Sequence, residues 1–158
     1  MSGEIVILGV GCTPFGEHFD RSYTDLAHAA AAEALRDAGV GVGEVDAAWL
    51  GTAFPDAGVY KGRSGMDLAE AVGLFDVPIT RVSNYCATGA EAIRAAANAL
   101  RAGECRVALA VGVEKLRDRS PTESLVRMMV EGGHPLLQKG FTAAGTFAVY
   151  AARRMHAH

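Results

Sequence analysis

The chain predicts an α/β fold, a mixed and largely parallel sheet with helices on both faces. Short apolar runs that read as strands alternate along it with alanine-rich stretches of helical composition. Four strands separated by three helices describe a sheet covered by helices. No internal repeat, low-complexity stretch or Gly/Ser linker interrupts the pattern.

Ile5 to Val10 is a continuous apolar run and reads as a buried first strand. Thr24 or Asp25 can cap a helix from Leu26 to Ala38, which Gly39 ends. Val45 to Leu50 is the second strand, and Gly51 to Asp56 is loop. Ser64 to Val72 is a short helix closed by Gly73. Val77 to Val82 forms the third strand, and Ala90 to Ala102 is helical, free of proline and glycine. Arg106 to Gly112 is the fourth strand. After Leu116 the polar run Arg117-Asp118-Arg119-Ser120-Pro121 changes the character of the chain. Residues 1–116 therefore read as the β/α core, and residues 117–158 as an excursion from it that ends in a helical stretch from Thr142 to His158.

Composition narrows the function classes. With 158 residues, 50% of them hydrophobic, the chain can enclose one real core. A net charge of −3 with scattered Lys and Arg leaves no electrostatic footprint for nucleic acid. Ile5 to Val10 is too short for a spanning helix or a signal-peptide core, and no basic region precedes it, so no membrane insertion is expected. Three cysteines at unrelated spacings argue against a disulfide framework and suit a reducing cytoplasm. No Cys-x-x-Cys or paired-His spacing suggests a metal.

The run Val82-Ser83-Asn84-Tyr85-Cys86-Ala87-Thr88-Gly89 sets Cys86 at the hinge between strand and helix. At a helix start, unpaired N–H groups and the positive end of the macrodipole favour thiolate over thiol. Ala87, Thr88 and Gly89 are small enough to leave room for an acyl group and to let backbone N–H groups approach an oxyanion. On residue type alone, a buried structural cysteine is the commoner outcome.

Asn84-Tyr85-Cys86-Ala87-Thr88-Gly89, then Gly103, then Val107 to Val113 with Glu114-Lys115-Leu116, resembles the amino-terminal half of the thiolase superfamily. The form is that of the sterol carrier protein X type, acetyl-CoA acetyltransferase-like thiolases, whose nucleophile segment reads Asn-x-Cys-Ser/Ala-Thr-Gly. Ile7-Leu8-Gly9-Val10-Gly11-Cys12-Thr13-Pro14-Phe15-Gly16 also resembles that family's first strand and turn. Two ordered motifs joined by matching elements are far more specific than either alone.

The resemblance implies a thiolase-like fold of two similar β/α halves with an inserted loop domain, incomplete in this chain. It implies Cys86 as the nucleophile of an acyl transfer to and from a coenzyme A thioester, which is substrate, with no separate cofactor. The activating histidine, an oxyanion-hole side chain and a second cysteine belong to the other half, so the chain alone is expected to be inactive. A homodimer or higher oligomer is implied, with the strand before Cys86 pairing across a two-fold axis. Lys139, Arg153 and Arg154, with His156, either complement coenzyme A phosphates or form a solvated helix face. Two rival functions stay open: a retro-aldolase of the same superfamily acting on a β-hydroxyacyl-CoA with an OB-fold partner, and a noncatalytic half that only binds acyl-CoA.

Other residues invite assignment and do not support it. Gly133-His134-Pro135 has the letters of the family's catalytic-histidine tripeptide but stands in the wrong half. Cys12 and Cys105 read as inert packing cysteines. Ser120 and Thr122 lack the Gly-x-Ser-x-Gly elbow that a hydrolase needs. Gly9-x-Gly11 is followed by Pro14-Phe15 rather than by a helix, which argues against a dinucleotide site. Glu114 and Lys115 read either as a structural ion pair at the sheet edge or as support for the site.

Overall fold

The computed structural model describes residues 4–54, 62–123 and 143–158. In chain order its elements are α1 (Tyr23–Ala38), β1 (Ala47–Gly51), α2 (Met66–Val72), β2 (Ile79–Val82), α3 (Thr88–Ala102), β3 (Ala108–Gly112) and α4 (Ala143–Ala157). Among the described residues the sheet has three strands, all parallel, in the order β2-β1-β3. Ala48 lies opposite Ile79 on one side and Leu109 on the other, which sets the register.

This order explains why helices cover both faces. The chain steps from β1 to its neighbour β2 through α2, then steps back past β1 to β3 through α3. Two right-handed crossovers in opposite directions place their helices on opposite faces. The strands alternate accordingly. Ala48, Leu50, Leu109 and Val111 pack against Leu26, Ala27 and Ala31 of α1 and Leu68 and Ala71 of α2. Ala47, Trp49 and Ala108 face the other way, against Ala99 and Leu100 of α3 and Cys105.

Small residues set how closely these layers meet. In α3 the buried Ala92, Ala96 and Ala99 follow helical spacing. At Gly51, the end of β1, an added Cβ would lie 3.3 Å from Thr88 Cγ2 and 3.5 Å from Ala92 Cβ. The first turn of α3 is thereby seated directly over the end of the central strand.

Two expectations need correction. Ile5 to Val10 joins no ladder among the described residues, and Ile7 is 81% exposed. The segment lies along α1, where Val10 N–H donates to Asp37 Oδ2 at 2.9 Å and Cys12 N–H to Glu33 Oε2 at 3.0 Å. A methyl group at Gly9 or Gly11 would collide with the backbone of α1, so these glycines permit the approach. An apolar run cannot reveal whether its ladder partners exist. Second, the cap of α1 is Ser22, before the expected Thr24 or Asp25. Asp25 is its N3 residue, completing a capping box in which Ser22 N–H donates to Asp25 Oδ2 at 2.8 Å and Asp25 N–H to Ser22 Oγ at 3.0 Å.

The remaining elements agree within a few residues. Gly39, Gly73 and Gly103 all end helices in the left-handed conformation. Beyond Leu116 a short 3₁₀ turn, Leu116–Asp118, leads away from the sheet, and α4 covers most of the terminal helical stretch. No helix among the described residues is long and apolar enough to cross a membrane.

Candidate active site

Because the sheet is parallel, the carboxyl ends of β1, β2 and β3 share one edge, the usual place for a ligand in such folds. Three loops leave that edge, and their side chains brace one another. Cys86 stands on the loop after β2, in a 3₁₀ turn, Tyr85–Ala87, immediately before α3. Its side chain is exposed.

The turn is unusual in its backbone. Tyr85, directly before Cys86, has φ of 46°, and it is the one non-glycine residue with positive φ among the described residues. A bulky side chain in this region is strained and persists only where its surroundings over-determine it. Thr88 is one source of that support. Its buried hydroxyl donates to Tyr85 C=O at 2.6 Å and accepts from Asn84 N–H at 2.8 Å. Ala87 N–H closes the turn onto Asn84 C=O at 2.9 Å. Thr88 therefore holds the turn from within, a role its small size did not announce, while Ala87 and Gly89 are exposed.

Replacing Thr88 by valine should strand both polar partners with almost no change of volume. The expected cost is about 1–3 kcal/mol in denaturant unfolding of the protein, whereas Thr88→Ser should retain most of the wild-type stability. Equal stability of the valine and threonine forms would show that the clamp carries nothing.

The loops after β1 and β3 meet at Glu114. Its carboxylate accepts from Ala53 N–H and, at 3.3 Å, from Phe54 N–H. Glu114 keeps an exposed face, yet protein around its carboxyl pushes the pKa above the ordinary glutamate range. The two backbone donors, the Thr52 hydroxyl and Arg81 pull it the other way. Arg81 of β2 completes the brace, donating from Nη2 to Thr52 C=O at 2.9 Å. The Phe54 ring meets the Tyr85 ring edge to face, with centroids 6.5 Å apart. Beneath the loops Tyr23 is buried, and burial pushes its phenol up to about 12, against a smaller opposing effect of the neighbouring Thr52 hydroxyl.

Of the two readings of Glu114 and Lys115, the ion pair between them does not form. Neighbouring residues at a strand end point to opposite sides. Lys115 turns towards the segment before α1, where Nζ donates to His18 C=O at 2.9 Å and to Arg21 C=O and lies 3.0 Å from Asp118 Oδ1. A cleft of about 230 Å³ opens there, lined by Thr13, Phe15, His18 and Lys115 among others, but not by Cys86.

Arg153 and Arg154 are exposed on α4, and none of the described contacts carries them to the Cys86 turn. Lys139 and His134 lie outside the described residues. Cys12 is exposed rather than packed, its Sγ 3.3 Å from Thr13 C=O. Cys105 is buried, and burial together with Asp46 and Glu104 raises its thiol pKa. Sequence reasoning passed over Phe54 and Tyr85 and left Glu114 undecided. The strand-loop positions shared by Phe54 and Glu114 were visible, but not that the two would meet.

Comparison with known proteins agrees with this fold. Residues 5–155 match the family described as Thiolase, N-terminal domain. The chain is 30% identical over 154 residues to an acetyl-CoA acetyltransferase of Methanothermobacter thermautotrophicus, covering 97% of the chain and 40% of that relative. It is 32% identical over 159 residues to human sterol carrier protein 2, covering 90% of the chain and 28% of that protein. Its fold superposes on a chain of the solved Ltp2-ChsH2(DUF35) aldolase with a TM-score of 0.67 at 24% identity, covering 95% of this chain and 37% of that one. The chain thus spans less than half the length of the relatives it matches. With its parallel sheet, its cysteine turn and a family match over nearly its whole length, the chain belongs to the thiolase superfamily as an amino-terminal domain.

Proposed function

We propose that this chain is the amino-terminal half of an acyl-CoA acyltransferase of the thiolase type, with Cys86 carrying the acyl group. The observation that supports this best is the exposed sulfur at the carboxyl edge of the parallel sheet, on a strained turn clamped by Thr88. Strain held at a solvent-facing thiol suits a nucleophile better than a packing residue. Relatives named acetyl-CoA acetyltransferase, at 30–32% identity, favour the same chemistry.

In thiolysis the Cys86 sulfur, as thiolate, attacks the keto carbonyl of a 3-ketoacyl-CoA. The tetrahedral oxyanion is met by backbone N–H groups. Its collapse breaks the carbon–carbon bond, leaving an acyl thioester on Cys86 and a carbanion that takes a proton from an acid outside this chain. The thiolate of free coenzyme A then attacks the acyl-cysteine, and Cys86 leaves as thiolate. The reverse sequence is a Claisen condensation. Arg153, Arg154 and Lys139 are proposed to face the coenzyme A phosphates, and β2, an edge strand of the described sheet, to pair with a second copy.

The test is direct. The complete catalytic assembly, given a 3-ketoacyl-CoA without free coenzyme A, should accumulate an acyl mass adduct on the Cys86 peptide, and added coenzyme A should discharge it. No adduct from the 3-ketoacyl-CoA together with cleavage of a β-hydroxyacyl-CoA to an aldehyde or ketone and a shorter acyl-CoA would favour the retro-aldolase, and binding with no turnover of either substrate would favour a noncatalytic half.

A further inference from the structure

We infer that Glu114 is a positioning residue for Cys86, acting through the backbone of Phe54 and the Phe54–Tyr85 ring contact. The inference rests on the proposed role of Cys86 and adds a part that role does not contain. Cys86 follows a residue held at positive φ, and such a conformation needs support from more than one side. Thr88 supplies it from within the turn. The outer side is the Tyr85 ring, and what it meets is Phe54. Phe54 in turn stands at the end of the described part of its loop. What fixes its backbone there is the Glu114 carboxylate, which accepts from both Ala53 and Phe54 N–H.

The connection therefore runs from the end of β3, across the end of β1, to the turn after β2. Each link is weak alone, an edge-to-face ring pair adding only a little beyond the area it buries. Orientation of a nucleophile is sensitive to far less than the loss of a fold, since a misplacement of about 1 Å can cost roughly 10²-fold in rate. Glu114 bonds to the backbone of Ala53 and Phe54 and acts on Cys86 only through them.

Glu114→Ala and Phe54→Ala, each in the complete assembly, should slow the single-turnover acylation of Cys86 at saturating substrate by about ten- to a hundredfold with little change in substrate affinity. The double substitution should be no slower than the worse single one, because both break the same connection. Glu114→Gln, which keeps an acceptor oxygen, and Phe54→Tyr, which keeps the ring, should restore most of the rate. Amide exchange should quicken in the segment 84–88 of both alanine variants while the middle of α3 stays protected, which separates positioning from unfolding.

Unchanged acylation and unchanged exchange in the alanine variants would overturn the inference, as would losses that simply multiply in the double variant. Should the wild-type assembly form no adduct, the acyl-transfer reading fails by itself. The exchange measurement then decides the positioning role alone: protection of 84–88 that is indifferent to Glu114 and Phe54 ends it.

Discussion

Replacement of Cys86 by serine is expected to lower turnover of a 3-ketoacyl-CoA by about 10³-fold or more in the complete assembly, and to abolish the acyl adduct. A thiol of ordinary pKa is already a few per cent ionised at neutral pH and is intrinsically a strong nucleophile, whereas a serine hydroxyl is almost wholly protonated there. The side chain is exposed, so the same substitution should leave stability within about 0.5 kcal/mol of wild type. Loss of rate without loss of fold is the signature of a group that reacts. Cys12→Ser supplies the control, since Cys12 is also exposed but stands on the segment beside α1, away from the braced turn. Steady-state kinetics and an unfolding curve on the two variants decide the matter. Comparable losses in both, or near wild-type turnover in Cys86→Ser, would remove Cys86 from the chemistry.

Leu50→Ala is expected to destabilise the protein by about 2–5 kcal/mol, read as a lower midpoint in urea with little change of slope. Leu50 is fully buried on the central strand, paired across to Arg81 on one side and Val111 on the other, and its side chain packs in the core shared by α1 and α2. Truncation removes contacts on every side, and the two flanking strands hold the backbone against collapse into the void. Ile93, an equally apolar residue on α3 that is 61% exposed, offers the contrast. Ile93→Ala should stay within about 0.5 kcal/mol of wild type. A cost below about 1 kcal/mol at Leu50 would mean that the core does not close around β1 as described.

Much of the architecture was legible because it depends on local chemistry. Apolar runs of strand length, alanine-rich stretches and left-handed glycines at helix ends are properties of neighbours along the chain, and β1, β2, β3 and the four helices follow them. The place of Cys86 between strand and helix was legible for the same reason. Where expectation failed, a distant residue was the cause. Ile5 to Val10 has the composition of a buried strand, but whether it enters a sheet depends on which backbone groups face it. What faces it is the acidic side of α1, with Asp37 taking the N–H of Val10 and Glu33 that of Cys12 just beyond.

The amino-acid sequence by itself determined the class of fold, the family and the one cysteine worth testing, since each is carried by periodicity or by a short contiguous motif. Only the tertiary structure decided what holds that cysteine. Thr88 beneath the turn, the left-handed Tyr85, the Phe54 that meets it and the Glu114 that holds Phe54 come from the ends of three different strands. Glu114 and Ala53 are 61 residues apart along the chain. Their meeting follows from parallel pairing in register, which brings three carboxyl ends to one edge, and no local pattern encodes that register.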